Sequence, residues 1–371
     1  MRIIRVTMQP RHSTLPASYE LKLRAALIKR GYSLDEPGKL ADAVLRLSSF
    51  YLENPTVQTP WHEVWAQVAS LVYFFPLNYA RSSLVAREVR RFGFFNGLKS
   101  AVDDGAGMGS ALHAFNDVLA TGDVTNLSWT ARDVSHEALK MLNELNLATT
   151  PIKTQSVDGL TRDELKSDAS VLVASYVFTE LKDIPREWLK HEALIIIEPS
   201  TREDARRLQG ERKTLLEAGF EIWAPCPHHD ACPLLIHSDK DWCHDRVHFE
   251  APAWFAQIEK FLPMKNRTLT FTYLAARKRP APRPLTPGRL VGDTLLEKGK
   301  SRQAICRSSE KEFLAWFPQR FPNKDHIEMS RGSLVKLEGE LEKKSQEVRF
   351  ATPEQIYEFG TDEPISAASK P

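Results

Sequence analysis

The sequence predicts an α/β protein on a mostly parallel sheet, with a helical unit before it and a small β-rich region after it. Three observations predict it. From Gly97 onward, short apolar runs at 100–102, 127–131, 171–174 and 194–197 alternate with helical stretches at 110–119, 136–145, 161–167 and 202–218. Such alternation places helices on both faces of parallel strands. A glycine-rich turn, Asp103-Asp104-Gly105-Ala106-Gly107-Met108-Gly109-Ser110, follows the first run and opens the first helix of that series. Before Gly97 the apolar spacing is helical throughout.

In chain order, 19–30 carries Leu21, Leu23, Ala26 and Leu27 near a 3.6-residue period, and 42–51 repeats it with Ala43, Leu45, Leu47 and Phe50. The stretch 61–75 is apolar between Pro60 and Pro76, which read as helix start and stop. A basic helix is expected over 80–92, with Arg81, Arg87, Arg90 and Arg91. Two further strands are expected at 219–224 and 269–275, the second alternating through Leu269, Phe271, Tyr273 and Ala275. Between them lies a cysteine-rich insertion, 225–248. After Ala276 a proline- and arginine-rich linker follows, and 277–307 carries nine lysines and arginines against Asp293 and Glu297. Then come β-like runs at 302–307, 334–337 and 348–350, with a helix expected over 310–317. The resulting division is a helical domain 1–95, an α/β domain 96–276, a linker and β-rich region 277–350, and a mostly disordered tail 351–371.

Composition narrows the function classes. At 42% hydrophobic, 26% charged and net charge +2, the 371-residue chain is that of a globular protein with no global bias toward polyanions. No run approaches the roughly 18 apolar residues of a membrane span, so no membrane partner is expected. The first residues hold three arginines and no acid before Glu20, mildly like a mitochondrial presequence, yet a helical pattern already begins at Tyr19. A monomeric, cytoplasmic protein is the expectation, with the mitochondrial matrix as the alternative.

The glycine turn reads Asp-x-Gly-x-Gly-x-Gly, with Gly105, Gly107 and Gly109 permitting a tight turn and close backbone approach to a ligand. It lacks both the G-x-G-x-x-G spacing of dinucleotide binders and the Gly-Lys-Ser/Thr ending of phosphate loops. A ligand without pyrophosphate, such as S-adenosylmethionine, suits it better, with Asp103 in front of the turn. A ribose-binding acid belongs at the end of the next strand, where Asp133 stands. Tyr176, at the end of the 171–175 run, borders the same ligand if strand ends converge on it, with Glu180 nearby; otherwise Tyr176 is core.

Four cysteines are the whole sulfhydryl inventory, and Cys226, Cys232 and Cys243 crowd into one segment that also holds His228, His229, His237, His244 and His248. Cys306 follows at a distance. Thiolates and imidazoles are ligands for iron–sulfur clusters and zinc. The C-x5-C-x10-C intervals match neither zinc ribbons nor ferredoxins, so spacing leaves the metal open. Pro225-Cys226 as a methyltransferase nucleophile is disfavoured by its position after a late strand. Burial as small hydrophobes suits Cys306 better than the polar CPHHDAC run.

Together, DDGAGMG, ASYVFTEL, IIIEPST, APCPHHDACPL, DWCH and the lone cysteine of RQAICR resemble the small-ribosomal-subunit methyltransferase-like proteins, over roughly residues 15–340. These comprise mitochondrial ribosome small-subunit assembly factors and bacterial relatives. The resemblance implies a class I methyltransferase fold with a seven-stranded, Rossmann-like sheet. It implies adenosylmethionine at Asp103, Gly105, Gly107, Gly109 and Asp133, and a [4Fe–4S] cluster on Cys226, Cys232, Cys243 and Cys306, with zinc as the alternative metal. It further implies small-subunit ribosomal RNA as partner, either methylated or held during assembly. Asp104 adds a second carboxylate beside the turn, and Glu198-Pro199-Ser200 replaces the usual Glu-Pro-Gly. No catalytic residue is assigned. A small-molecule methyltransferase with structural zinc is the remaining reading.

Overall fold

In a computed structural model, the structure describes residues 11–360 save 55–56, 122–126, 149–150, 158–168, 283–286, 322–326 and 328. The helix expected over 161–167 lies outside the described residues.

The chain enters through a short strand β1 (His12–Thr14) and helices α1 (Ala17–Ile28), α2 (Pro37–Glu53) and α3 (Val64–Ala69). A π-helical turn, Ser70–Phe74, leads directly into α4 (Phe75–Arg90). Pro76 therefore does not end a helix, as the sequence suggested. It sits where the π-helical turn passes into α4, so its missing N–H falls at the junction of the two helical bonding patterns. Helix α4 is buried along most of its length, with Leu77, Ala80, Leu84, Val85 and Val89 all in the core.

The main sheet contains β2 (Ser100–Asp104), β3 (Ser128–Asp133), β4 (Lys153–Ser156), β5 (Ser170–Ser175) and β6 (Ala193–Glu198), all parallel. Helices α5 (Ser110–Ala120), α6 (His136–Leu145), α7 (Arg202–Gly210) and α8 (Arg212–Glu217) intervene; the helix expected over 202–218 is thus two helices meeting at Glu211. Then come β7 (Glu221–Ala224), a one-turn α9 (Pro233–Ile236), β8 (Asp245–Glu250), α10 (Ala253–Glu259) and the long β9 (Thr268–Arg277). The order runs β4-β3-β2-β5-β6-β9, with β7 on β9 and β9 antiparallel to both neighbours. This is the class I methyltransferase fold. The order reverses between β2 and β5, and a ligand crevice opens at the carboxyl ends of strands there.

Strand β9 also pairs with β8, which takes β1 in parallel, so the N-terminal segment is stitched into the same nine-stranded sheet. Helix α4 packs on α5 and against β8 and β9, so the helical unit shares one core with the sheet.

The C-terminal region is an eight-stranded sheet: β10 (Pro287–Leu290), β11 (Leu295–Glu297), β12 (Lys300–Cys306), β13 (Glu312–Trp316), β14 (Leu334–Leu337), β15 (Glu342–Lys344), β16 (Glu347–Arg349) and β17 (Ile356–Glu358). Its own core includes Leu290, Ile305, Leu314, Trp316, Val335 and Phe350. Residues 310–317, read as a helix, hold β13 instead. A short apolar run is ambiguous by period, and pairing with β12 decides it. Strand β17 lies inside the segment expected to be disordered from 351, and pairs with β14.

Candidate cofactor cradle and cysteine centre

At the switch point, β2 ends in two acids that alternate across the strand. Asp103 is buried and accepts the Leu112 N–H of α5 at 3.2 Å. Burial pushes it up to about 7, against the pull of that bond and with the Asp104 and Asp133 carboxylates adding to the rise. Its Oδ1 is buried with no hydrogen-bond partner among the described residues, an acceptor of the kind a ligand donor satisfies. Asp104 turns the other way. It accepts the Trp188 indole N–H at 2.7 Å and lies 4.0 Å from the Arg132 Nε, while its charge still reaches Asp103 and Asp133.

The loop itself is left-handed at Gly105, Gly107 and Gly109. Gly105 has φ +75°, and a Cβ there would stand 2.3 Å from Val177. Arg132 O accepts the Gly105 and Ala106 N–H groups at 2.9 Å each, tying the turn to β3. Asp133, at the end of β3, accepts the Gly107 N–H at 2.7 Å and the Ser135 N–H at 2.8 Å. Its carboxylate thus stands directly across the glycine turn, where the sequence placed a ribose acid.

Tyr176 follows β5 with φ +62°, a conformation side chains rarely adopt. Glu198, at the end of β6, fixes the turn by accepting the N–H groups of Val177, Phe178 and Thr179 at 3.1, 2.8 and 3.2 Å. Sequence reasoning missed this role; the only signal was an acid closing the IIIE strand. The Arg81 guanidinium stands 5.8 Å above the Tyr176 ring. Glu180 is within electrostatic reach of Asp133, which adds to a rise caused chiefly by burial. Trp61 was also missed. Its indole lies 3.4 Å from where a Gly107 Cβ would stand, so the N-terminal unit closes over the turn.

The four cysteines come from four places: after β7, at the start of α9, before β8, and at the end of β12. The structure nevertheless brings them together. Burial raises the Cys243 and Cys306 thiols well above their ordinary range, and the other cysteines add to both rises. Arg212, on α8, is opposed by its own burial but raised by all four sulfurs. His228 Nε2 lies 3.2 Å from Cys306 Sγ. Among the described residues, no group of three or more His, Cys, Asp or Glu side chains meets the geometry of a metal-ion site. The donor set still suits a larger anionic centre: Gln209 Nε2 and Arg212 Nε are buried donors without partners among the described residues, beside Cys226 and the thiol group.

Several arginines of the basic stretches are committed to partners within the fold. Arg87 donates to His12 O, Arg90 to Val118 O and Arg91 to Gly360 O. Arg277 donates to Phe94 O and Asn96 O, Arg302 pairs with Glu297, and Arg307 with Glu312. Arg289 and Glu88 form a buried pair joined by Arg91, Arg11 and Asp245. Burial works to raise Glu88, but Arg289, Arg91 and Arg11 together hold it at about 2.

No curated protein matches the chain. Among solved structures, a ribosomal protein L11 methylase from Lactobacillus delbrueckii subsp. bulgaricus is 17% identical, covering 54% of this chain and 78% of its own, with TM-score 0.31. An adenosylmethionine-dependent methyltransferase from Aquifex aeolicus is 18% identical, covering 36% and 78%, with TM-score 0.28. Likenesses this distant carry no argument about what the chain does. The model of the mitochondrial small ribosomal subunit Rsm22 family matches residues 67–315, more than half of the 371. The span takes in the glycine turn, Asp133, Glu198 and all four cysteines, and the chain belongs to that family.

Proposed function

We propose that the chain is an adenosylmethionine-dependent, methyltransferase-like protein of the small ribosomal subunit that acts on or assembles its RNA. In the same reading, Cys226, Cys232, Cys243 and Cys306 hold a [4Fe–4S] cluster. One observation carries it: the left-handed glycine turn, Asp133 and strained Tyr176 meet at the switch point of a class I sheet.

Asp133 is the acceptor for ribose hydroxyls, and Asp103 supplies a buried acceptor behind the turn. Trp61 shields the turn from water and Glu198 holds the Tyr176 backbone. What these residues supply is orientation of methyl donor and acceptor, a proximity effect. The loop Ser175-Tyr176-Val177-Phe178 lacks the Asn/Asp-Pro-Pro motif of amino-group methyltransferases, which favours a second reading, a non-catalytic assembly factor. The cluster, when bound, supplies a covalent tie between the insertion and the C-terminal sheet, since ligand binding energy couples to folding.

Calorimetric titration with adenosylmethionine tests the cradle. Wild type binds and Gly107→Trp does not; a wild type without affinity removes the reading. Label transfer to immature small subunits then separates methylation from assembly. Protein purified without oxygen carries about four iron and four sulfide per chain, and colourless protein with stoichiometric zinc defeats the cluster. No helix among the described residues is long and apolar enough to cross a membrane. Cell fractionation decides between cytoplasm and mitochondrial matrix.

A further inference from the structure

A cavity of about 360 Å³ lies between the cysteine-rich insertion and the outer face of the C-terminal sheet. Its size is that of small-ligand sites, which start at roughly 300 Å³. One wall is Trp242 stacked on His244, with ring centroids 5.7 Å apart and planes 29° from parallel. The opposite side is the sheet, where Ala304 of β12 leaves room beside Phe313 of β13. Its charged lining is paired, Lys311 with Asp241 at 2.5 Å, Arg331 with Asp293 at 3.4 Å and Glu312 with Arg307 at 2.9 Å, and Cys306 closes its edge toward the cysteine centre. Such an interior suits a flat, uncharged heterocycle and offers a bare phosphate no unpaired cation among the described residues.

From Phe313, at the cavity's rim, the same sheet face continues the pattern. Phe313 carries Arg302 at 4.8 Å. Phe317, just past β13, carries Arg320 at 4.4 Å and Arg349, which pairs with Ala315 of β13, at 5.5 Å. Arg320 is exposed and has no carboxylate partner among the described residues. Aromatic rings flanked by guanidinium groups are how sequence-tolerant single-strand binders hold successive bases. The cavity is also tied to the cradle's edge of the main sheet. Trp242 Nε1 donates to Ser200 O at 2.8 Å, just past β6, whose Glu198 holds the Tyr176 turn.

We propose that this cavity takes one unpaired base of a single-stranded RNA segment, with the strand running along Phe313 and Phe317. It would anchor the RNA beside the cradle and not at it. The inference rests on the RNA reading above and names the form of RNA that reading requires.

The test is fluorescence anisotropy of the full chain with a short labelled single-stranded RNA of mixed sequence, its abasic counterparts and the matching duplex. Adenosylmethionine affinity is measured in parallel by calorimetry. Ala304→Phe, which fills the cavity, and Trp242→Ala should each weaken single-strand binding roughly 10-fold or more, the scale of losing one stacked base. Adenosylmethionine affinity should be unchanged, and one abasic position should reproduce the loss. Wild-type RNA affinity in Ala304→Phe overturns the inference, as does equal weakening on the duplex. Should Trp242→Ala fail to fold, Ala304→Phe decides alone. A wild type that binds adenosylmethionine but no RNA defeats this inference and the RNA reading while sparing the cradle.

Discussion

The cofactor cradle and the seam beneath the C-terminal sheet are both built from buried charge, and they are assembled in opposite ways. At the cradle the acids and the turn come from one β-turn-α-β stretch, Asp103 to Asp133, and the acids accept from backbone N–H groups. At the seam Arg11, Glu88, Asp245 and Arg289 arrive from four distant parts of the chain and answer one another. Arg11 and Arg289 also both donate to Gly332 O, at 2.7 and 2.6 Å. A site made of backbone N–H groups and two acids that accept from them has each acid already partnered within the turn. In a site made of opposed charges, removing one partner strands the others in a dry interior.

The largest expected effect therefore lies at the seam. Glu88→Ala leaves Arg289, Arg91 and Arg11 without their shared carboxylate, at a cost of about 3–5 kcal/mol. Thermal unfolding of the full chain should show the loss, and an unchanged melting temperature would mean the seam is not held by charge. Glu88→Gln, which keeps one acceptor, should lose less.

Acid should separate the two regions next. His113, on α5 behind the glycine turn, is fully buried beside Tyr19 and Phe75, and neither ring nitrogen has a hydrogen-bond partner among the described residues. Burial lowers it from 6.5 to about 4. The unfolded chain then binds more protons between those values, so this contribution is full above pH 6.5 and falls as pH drops toward 4. The loss reaches about 3 kcal/mol at the lower end, at about 1.4 kcal/mol per unit. Asp103, held up at about 7, contributes the opposite slope, so the measurement is the difference between wild type and His113→Leu. Parallel stability curves from pH 7 to pH 4 would refute it. Glu88, at about 2, stays ionised across that whole window, whereas burial raises its seam partner Asp245 above the ordinary carboxylate range.

A third effect is confined to the cradle. Gly105→Ala puts a Cβ against Val177 at a left-handed φ, costing about 1–3 kcal/mol and displacing the turn. Adenosylmethionine affinity should fall by roughly tenfold or more while the seam is untouched. An intact affinity would show that the turn does not define the ligand's position.

The same contrast explains what the sequence disclosed. The glycine turn, Asp133 and the parallel strands were legible because their geometry is set within a few residues by φ, strand alternation and turn chemistry. Strand β4 was not. Lys153-Thr154-Gln155-Ser156 is exposed along its length and owes its conformation to β3. Strand β13 was misread for the same reason, since pairing with β12 overrides an ambiguous apolar run. Glu198 and Trp61 were invisible because each acts on a backbone segment far from it in the chain. Three cysteines stood out as a group by composition, the family resemblance added Cys306, and the fold brings it back to the other three.

The arginines of the first helical unit yield the smallest predicted effect. Helix α4 reads as a basic face, yet Arg87, Arg90 and Arg91 donate to carbonyls of β1, of the α5 end and of the C-terminal segment. A guanidinium already satisfied by buried acceptors has little left for a phosphate, and each phosphate contact otherwise adds a salt-dependent increment to binding. Arg90→Gln should accordingly change single-stranded RNA affinity by less than about twofold and leave its salt slope unaltered. A slope reduced by about one would restore the helix as a phosphate contact. Arg320→Gln, on the exposed cation beside Phe317, supplies the opposite case: it should lower that slope while the seam and the cradle stay as they are.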